Sequence, residues 1–166
     1  QMSEDYGFNI EYHPKPVTGD WNGSGLHCNF SNTKMREEGG KPYFDAIFKT
    51  FESRHMEHIK CYGSSNDMRL TGDHETQSIH KFSWGVSDRG ASIRVPISTE
   101  KEWKGYVEDR RPASNADPYR IINIIDESIN NAEELYKTLH NMYSDVKVSD
   151  EVKDMVLTEP LERETE

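Results

Sequence analysis

A chain of 166 residues, 33% of them hydrophobic, has the material for one modest core and not for two independent ones. Its 30 acidic and 20 basic residues, a formal net charge of -10, exclude a main surface built to neutralise the phosphates of DNA or RNA. No run approaches the ~20 apolar residues of a membrane helix and no signal sequence opens the chain, so the expectation is a soluble, cytoplasmic protein with Cys28 and Cys61 reduced and no zinc set.

From Tyr6 to Tyr12 the residues read as a short extended segment, and the Gly- and Pro-bearing run from His13 to Gly25 as loop, with Asn22 and Gly23 marking a turn. Leu26, Cys28 and Phe30 then alternate with His27, Asn29 and Ser31, which predicts a strand with one apolar and one polar face. Phe44, Ile47, Phe48, Phe51, His55 and Ile59 recur at three- and four-residue intervals and predict one helix over about Lys41 to Ile59, with the stripe as core and His55 and His58 toward its flank. The polar stretch between Gly63 and Gly90 reads as ordered loops around a site. Two strands follow: Ser92, Arg94 and Pro96 alternate with Ile93 and Val95, and Tyr106, Glu108 and Arg110 alternate with Val107 and Asp109. Asp117 as an acidic cap with Pro118 at the first turn opens a closing helix, or two, through Ile121, Ile125, Ile129, Ala132, Tyr136 and Leu139. Beyond Tyr143 the chain is charged and weakly periodic, and the Glu162 to Glu166 run reads as solvated.

The chemistry concentrates on two polar strand faces, His27, Asn29 and Ser31 on one and Tyr106, Glu108 and Arg110 on the other. A histidine and a carboxylate brought together can hold a divalent cation balanced by nucleotide phosphates. Arg69, Arg89, Arg94 and Arg110 can bind a dicarboxylate or a phosphoryl group bidentately. The plainer readings stand beside these. A lone strand histidine is more often hydrogen-bonded than a ligand, and Glu108 with Arg110 and Arg111 could be an ordinary ion-pair cluster. His74 and Glu75 lack the second histidine that a helical zinc motif requires. Neither a phosphate-cradling loop ending in Gly-Lys-Ser nor a Gly-x-Ser-x-Gly elbow is present, so patterns alone do not assert ATP use.

The run Gly19-Asp20-Trp21-Asn22-Gly23-Ser24-Gly25-Leu26-His27-Cys28-Asn29-Phe30-Ser31, followed by Met35-Arg36-Glu37-Glu38, resembles the glutamine synthetase family in its eukaryotic form. Arg69-Leu70-Thr71-Gly72, His74-Glu75-Thr76, Gly85-Val86, Arg89-Gly90-Ala91-Ser92-Ile93-Arg94-Val95, Gly105-Tyr106 and Glu108-Asp109-Arg110-Arg111-Pro112-Ala113-Ser114-Asn115 continue it in the same order and spacing. The resemblance runs from about Tyr6 to Tyr119. It implies an α+β fold, a curved antiparallel sheet with helices packed on it, with residues 1-143 as part of a catalytic domain and 144-166 as an acidic extension.

The resemblance also implies a reaction: ATP-dependent joining of ammonia to glutamate through a γ-glutamyl phosphate. It makes His27 and Glu108 ligands of a magnesium or manganese ion, and puts Asn29, Ser31, Arg94 and Tyr106 at the nucleotide. Asn22, Gly23, Arg69, Arg89 and Arg110 would hold glutamate or stabilise the intermediate, and Glu75 matches the flap glutamate that closes over it and takes a proton from ammonium. Stacked-ring homo-oligomers are implied as well.

The family's other metal-binding glutamates, a Glu-x-Glu pair among them, and its small N-terminal β-domain have no equivalent in these residues. Ile97 stands where many members carry arginine and His80 where an acidic or polar residue is common. Two alternatives therefore stand: an inactive binding or assembly module that retains the fold, and a ligase joining glutamate to a larger amine.

Overall fold

Two amphipathic helices supply most of the core. The computed structural model describes residues 2–73 and 76–145. Its helices are α1 (Met2–Asp5), α2 (Thr33–Glu37), α3 (Lys41–Ser53), α4 (His55–Cys61), α5 (Ile97–Glu102) and α6 (Pro118–Asp145); its strands are β1 (Cys28–Phe30), β2 (Trp84–Val86), β3 (Ile93–Val95) and β4 (Val107–Asp109). A 3₁₀ turn covers Asn66–Met68.

The stripe of α3 buries Tyr43, Phe44, Ile47, Phe48 and Phe51 against Ile121, Ile124, Ile125, Ile129 and Ala132 of α6. Each fully buried large side chain contributes roughly 1.5–3 kcal/mol, so cutting Phe44 to Ala would cost about 3–5 kcal/mol. The cap expected for α6 is present: the Tyr119 N–H donates to Asp117 Oδ1 at 2.9 Å, with Pro118 as the first helical residue. One helix continues to Asp145; residues 146–166 of the acidic extension lie outside the described residues.

Where one helix is expected over Lys41 to Ile59 there are two. Arg54, at φ -100° and ψ 12°, leaves the helical region and separates α3 from α4. His55 and His58 are both buried, not on a flank.

The α+β class holds, with a four-stranded sheet in the order β1-β4-β3-β2. β1 with β4 and β3 with β4 pair antiparallel as expected, while β2 with β3 pairs parallel, so the sheet is mixed. Strands of three residues advance only ~7 Å from first to last, so the six residues 87–92 suffice to carry the chain back for a parallel return. β2 itself falls in the stretch expected to be loop. It forms because Trp84 stacks on Phe48 of α3 at 4.4 Å between ring centroids, anchoring the strand beside β3. Ile93, Val95 and Val107 turn toward the helices and are buried. The segment from Tyr6 to Tyr12 has a turn at Tyr6 and Gly7 and then no regular structure.

Candidate functional site

Alternation sends the odd-numbered residues of β4 into the core and leaves Glu108 on the opposite face. Register does the rest: Asn29 of β1 and Arg94 of β3 both pair directly with Glu108, so the three share one face across adjacent strands. His27 and Arg110 flank them. His27 Nδ1 lies 3.0 Å from Glu108 Oε1 and Arg110 Nη1 donates to the same oxygen at 3.2 Å. Arg94 Nε is 2.5 Å from Glu108 Oε2, a close ion pair that lacks hydrogen-bond geometry, so both atoms are buried without a hydrogen bond.

The carboxylate of Glu108 is largely buried among cationic and imidazole groups. His27 is held below the usual histidine range, first by burial and then by the Arg110 charge, against the opposing pull of Glu108. Its neutral imidazole is the form that ligates a cation. The residues present fit part of a divalent-cation shell: a neutral imidazole beside a carboxylate whose buried Oε2 lacks a hydrogen bond. Among the described residues no cluster of three or more His, Cys, Asp or Glu surrounds them, so the rest of a shell has to come from elsewhere.

Beside this pair lies a cleft of about 160 Å³ whose lining includes Asn22, Gly23, His27, Arg69, Gln77 and Arg110. Gly23 is required by space: a Cβ there would sit 2.3 Å from Arg69 Cγ and 2.8 Å from the Pro14 carbonyl oxygen. Arg69 is buried and mostly committed to the scaffold. Its Nη2 donates to the carbonyls of Arg110, Arg111 and Pro112 at 3.1, 2.7 and 3.0 Å, and its Nε to Asn66 Oδ1 at 3.2 Å. Burial and the neighbouring Arg110 pull its pKa down to about 10. It therefore shapes the turn after β4 and reaches the cleft through the remaining edge of its guanidinium.

The other expected residues are dispersed around this centre. Arg89 is exposed, and its carbonyl accepts from Arg110 Nε at 3.0 Å, which holds the Arg110 fork in place. Ser31 and Tyr106 lie just beyond the β1–β4 ladder: Ser31 Oγ donates to the Gly105 carbonyl at 2.7 Å, and the exposed Tyr106 accepts at its carbonyl from Thr99 Oγ1 at 2.8 Å. Glu75, with His74, lies outside the described residues.

Sequence reasoning missed what holds β4 from behind. Asp109 and Arg111 form a buried bidentate pair, Nε to Oδ1 at 2.9 Å and Nη2 to Oδ2 at 2.7 Å. The Arg111 guanidinium also lies over Phe51, Tyr62 and Phe82. A directed chain of donors runs into Asp109 from α4 and α6. Arg54 donates to Ser128 Oγ at 2.9 Å, Ser128 donates to His58 Nε2 at 2.7 Å, His58 Nδ1 donates to Tyr62 Oη at 2.5 Å, and Tyr62 donates to Asp109 Oδ2 at 2.6 Å. The tautomer follows from direction: Tyr62 gives its proton to Asp109, so it must accept from His58. Opposite charges two residues apart on a strand are the signal that would have marked the Asp109–Arg111 pair.

No family model matches the chain. Curated relatives do. Over 129 residues it is 55% identical to the glutamine synthetase of Emericella nidulans, covering 78% of this chain and 36% of that protein. It is 56% identical over 128 residues to the Neurospora crassa glutamine synthetase, 77% of this chain and 35% of that protein. With the Saccharomyces cerevisiae glutamine synthetase the identity is 54% over 129 residues, again 78% and 35%. The chain spans little more than a third of the length of the curated relatives it matches.

Proposed function

Because over this stretch the chain belongs to the eukaryotic-type glutamine synthetase family, we propose that it carries the phosphoryl- and carboxylate-binding part of an ATP-dependent glutamate–ammonia ligase. The observation that carries this reading is the ring of His27, Arg94 and Arg110 around Glu108, opening beside the cleft of Arg69, Asn22 and Gly23.

In this reading His27 and Glu108 hold a magnesium or manganese ion. When bound, that ion polarises the transferred phosphoryl group and balances the charge of the nucleotide. Arg94 turns from Glu108 toward the phosphates, and Asn29, Ser31 and Tyr106 line the nucleotide along the open end of β1 and β4. Arg110, fixed by Glu108 and by the Arg89 carbonyl, meets the substrate carboxylate and the phosphoryl oxygens, with Arg69, Arg89, Asn22 and Gly23 completing the glutamate pocket.

A side-chain carboxylate oxygen of glutamate attacks the γ-phosphorus of ATP. The bond from that phosphorus to the bridging oxygen breaks, and ADP leaves. Ammonia then attacks the acyl carbon of the γ-glutamyl phosphate, the bond to the phosphate oxygen breaks, and glutamine and phosphate form. Glu75 takes the proton that ammonium gives up and closes the site against water, which would otherwise hydrolyse the acyl phosphate.

Titration of ADP with magnesium or manganese into the chain and into Glu108→Ala tests the assignment by calorimetry. Metal-dependent binding lost in the variant supports it; equal binding by the two sinks it. A second reading, a binding or assembly module without turnover, draws on the two-ligand shell among the described residues. Under either reading the isolated chain forms little or no glutamine, whereas the ligase reading requires activity once a complementing polypeptide completes the site.

A further inference from the structure

His55, the first residue of α4, is buried, and both of its ring nitrogens are engaged. Nδ1 lies 2.9 Å from Arg111 Nη1, and Nε2 lies 2.9 Å from the Ile79 carbonyl oxygen. A guanidinium N–H can only donate, so Nδ1 accepts and the ring carries its proton on Nε2, which donates to Ile79. Burial holds His55 below the usual histidine range, with the Arg111 charge adding to this and the Ile79 hydrogen bond opposing it, so the ring is neutral at pH 7. Its two partners belong to different parts of the site. Arg111 is the guanidinium clamped to Asp109 behind β4. Ile79 ends a short antiparallel pairing of residues 69–71 with 76–79. Its N–H donates to the Leu70 carbonyl at 2.9 Å, Thr71 and Ser78 form a bridge, and Thr76 Oγ1 donates to the Arg69 carbonyl at 3.0 Å. Arg69, Leu70, Thr76 and Gln77 of this pairing line the cleft. Among the described residues no other helix side chain hydrogen-bonds to residues 76–80.

We propose that His55 is a positioning residue for the substrate cleft: it ties the wall that carries Thr76 and Gln77 to the buried side of β4, so that this wall and the Glu108–Arg110 face keep one spacing. The inference rests on the proposed function, which makes the cleft the glutamate pocket. The tie has three links. Asp109 holds Arg111, Arg111 donates to His55, and His55 donates to Ile79. Asp109 stands between Glu108 and Arg110 in sequence, so the strand end that presents the cation pair and the Arg110 fork is the one the tie grips. Phe82 meets the imidazole edge-on, with 6.0 Å between ring centroids, and so limits rotation of the ring. Spacing matters at this scale, since misplacing a binding group by about an ångström costs up to roughly a hundredfold.

The test compares the full parent chain with His55→Asn and His55→Gln. Asparagine sets a carbonyl where Nδ1 stood, which keeps an acceptor for Arg111, and is too short to reach Ile79. Glutamine sets an amide N–H where Nε2 stood, which keeps the bond to Ile79 and gives up the one to Arg111. Amide exchange is read at Ile79 and, as an internal control, at Arg110, whose N–H donates to the Ser92 carbonyl. Calorimetry reads the affinity for glutamate and for ADP with magnesium. In His55→Asn, exchange at Ile79 should rise about tenfold or more relative to Arg110, and glutamate binding should weaken about tenfold, while ADP–magnesium binding stays within about twofold of the parent. In His55→Gln, the melting temperature should fall, because Arg111 loses an acceptor, yet exchange at Ile79 and glutamate affinity should stay close to the parent's. Parent-like exchange at Ile79 in His55→Asn overturns the proposal. So does an equal loss of affinity for the two ligands, or a glutamate affinity that follows melting temperature across the variants and not the Ile79 bond. A parent chain that binds no glutamate counts against the proposed function instead, and exchange at Ile79 then decides the tie by itself.

Discussion

Glu108 and Asp109 are adjacent carboxylates on β4 that face opposite sides of the sheet and answer to different arginines. Glu108 meets Arg94 and Arg110 at the edge of the cleft, whereas Asp109, 0% exposed, is clamped by Arg111, 1% exposed. The Arg111 charge and its hydrogen bonds outweigh burial and hold the Asp109 carboxyl below its usual range. Two neighbours of the same chemistry are thus divided between the cleft side of the sheet and its buried side.

Asp109→Asn leaves Arg111 as a buried charge without its partner and should destabilise the chain by about 3–5 kcal/mol. Glu108→Gln relieves a pair whose arginines reach solvent and should cost much less. Urea unfolding of the two variants measures the difference. Equal losses would show that the two carboxylates are not divided in this way.

Gly23→Ala places a methyl group 2.3 Å from Arg69 Cγ with a backbone carbonyl on its other side. Either the 22–24 turn or the Arg69 side chain must shift, and overpacking of this kind costs about 1–3 kcal/mol. The expected result is a lower melting temperature and, under the proposed function, weaker glutamate binding. Unchanged values of both would mean that the cleft wall yields freely.

His58 contributes to the pH dependence of stability. Burial first, then the Arg111 charge, lowers its pKa to about 3, with Arg54 and His55 adding to the effect and Asp109 opposing it. The unfolded chain titrates this group near 6.5. Between those values the unfolded state binds more protons than the folded one, so stability falls as pH drops from about 6.5 toward 3, by up to about 1.4 kcal/mol per pH unit from this residue. His58→Gln should be less stable at pH 7 and show a flatter decline between pH 6 and 4. Parallel curves for the parent and the variant would rule His58 out as the source.

Local order made much of this legible. The two-residue period around Cys28 and Val107 marked the polar faces that carry His27, Asn29 and Glu108. The three-to-four-residue period and the Asp117 cap marked the long helices, and the run of motifs from Gly19 to Asn115 marked the family. Each of these signals is carried by neighbours in sequence, which is where period and capping act.

Tertiary structure decided what depends on distant partners. β2 exists because Trp84 finds Phe48, 36 positions away, and it runs parallel because three-residue strands can be rejoined by a short loop. Arg69 serves mainly as a brace because the carbonyls of residues 110–112 surround it. Glu108 and His27, 81 positions apart, come together through the antiparallel register of β1 with β4. Pairing and burial assign a charged side chain to one face of a sheet or the other, and the residues that pair with it and bury it lie far from it in sequence.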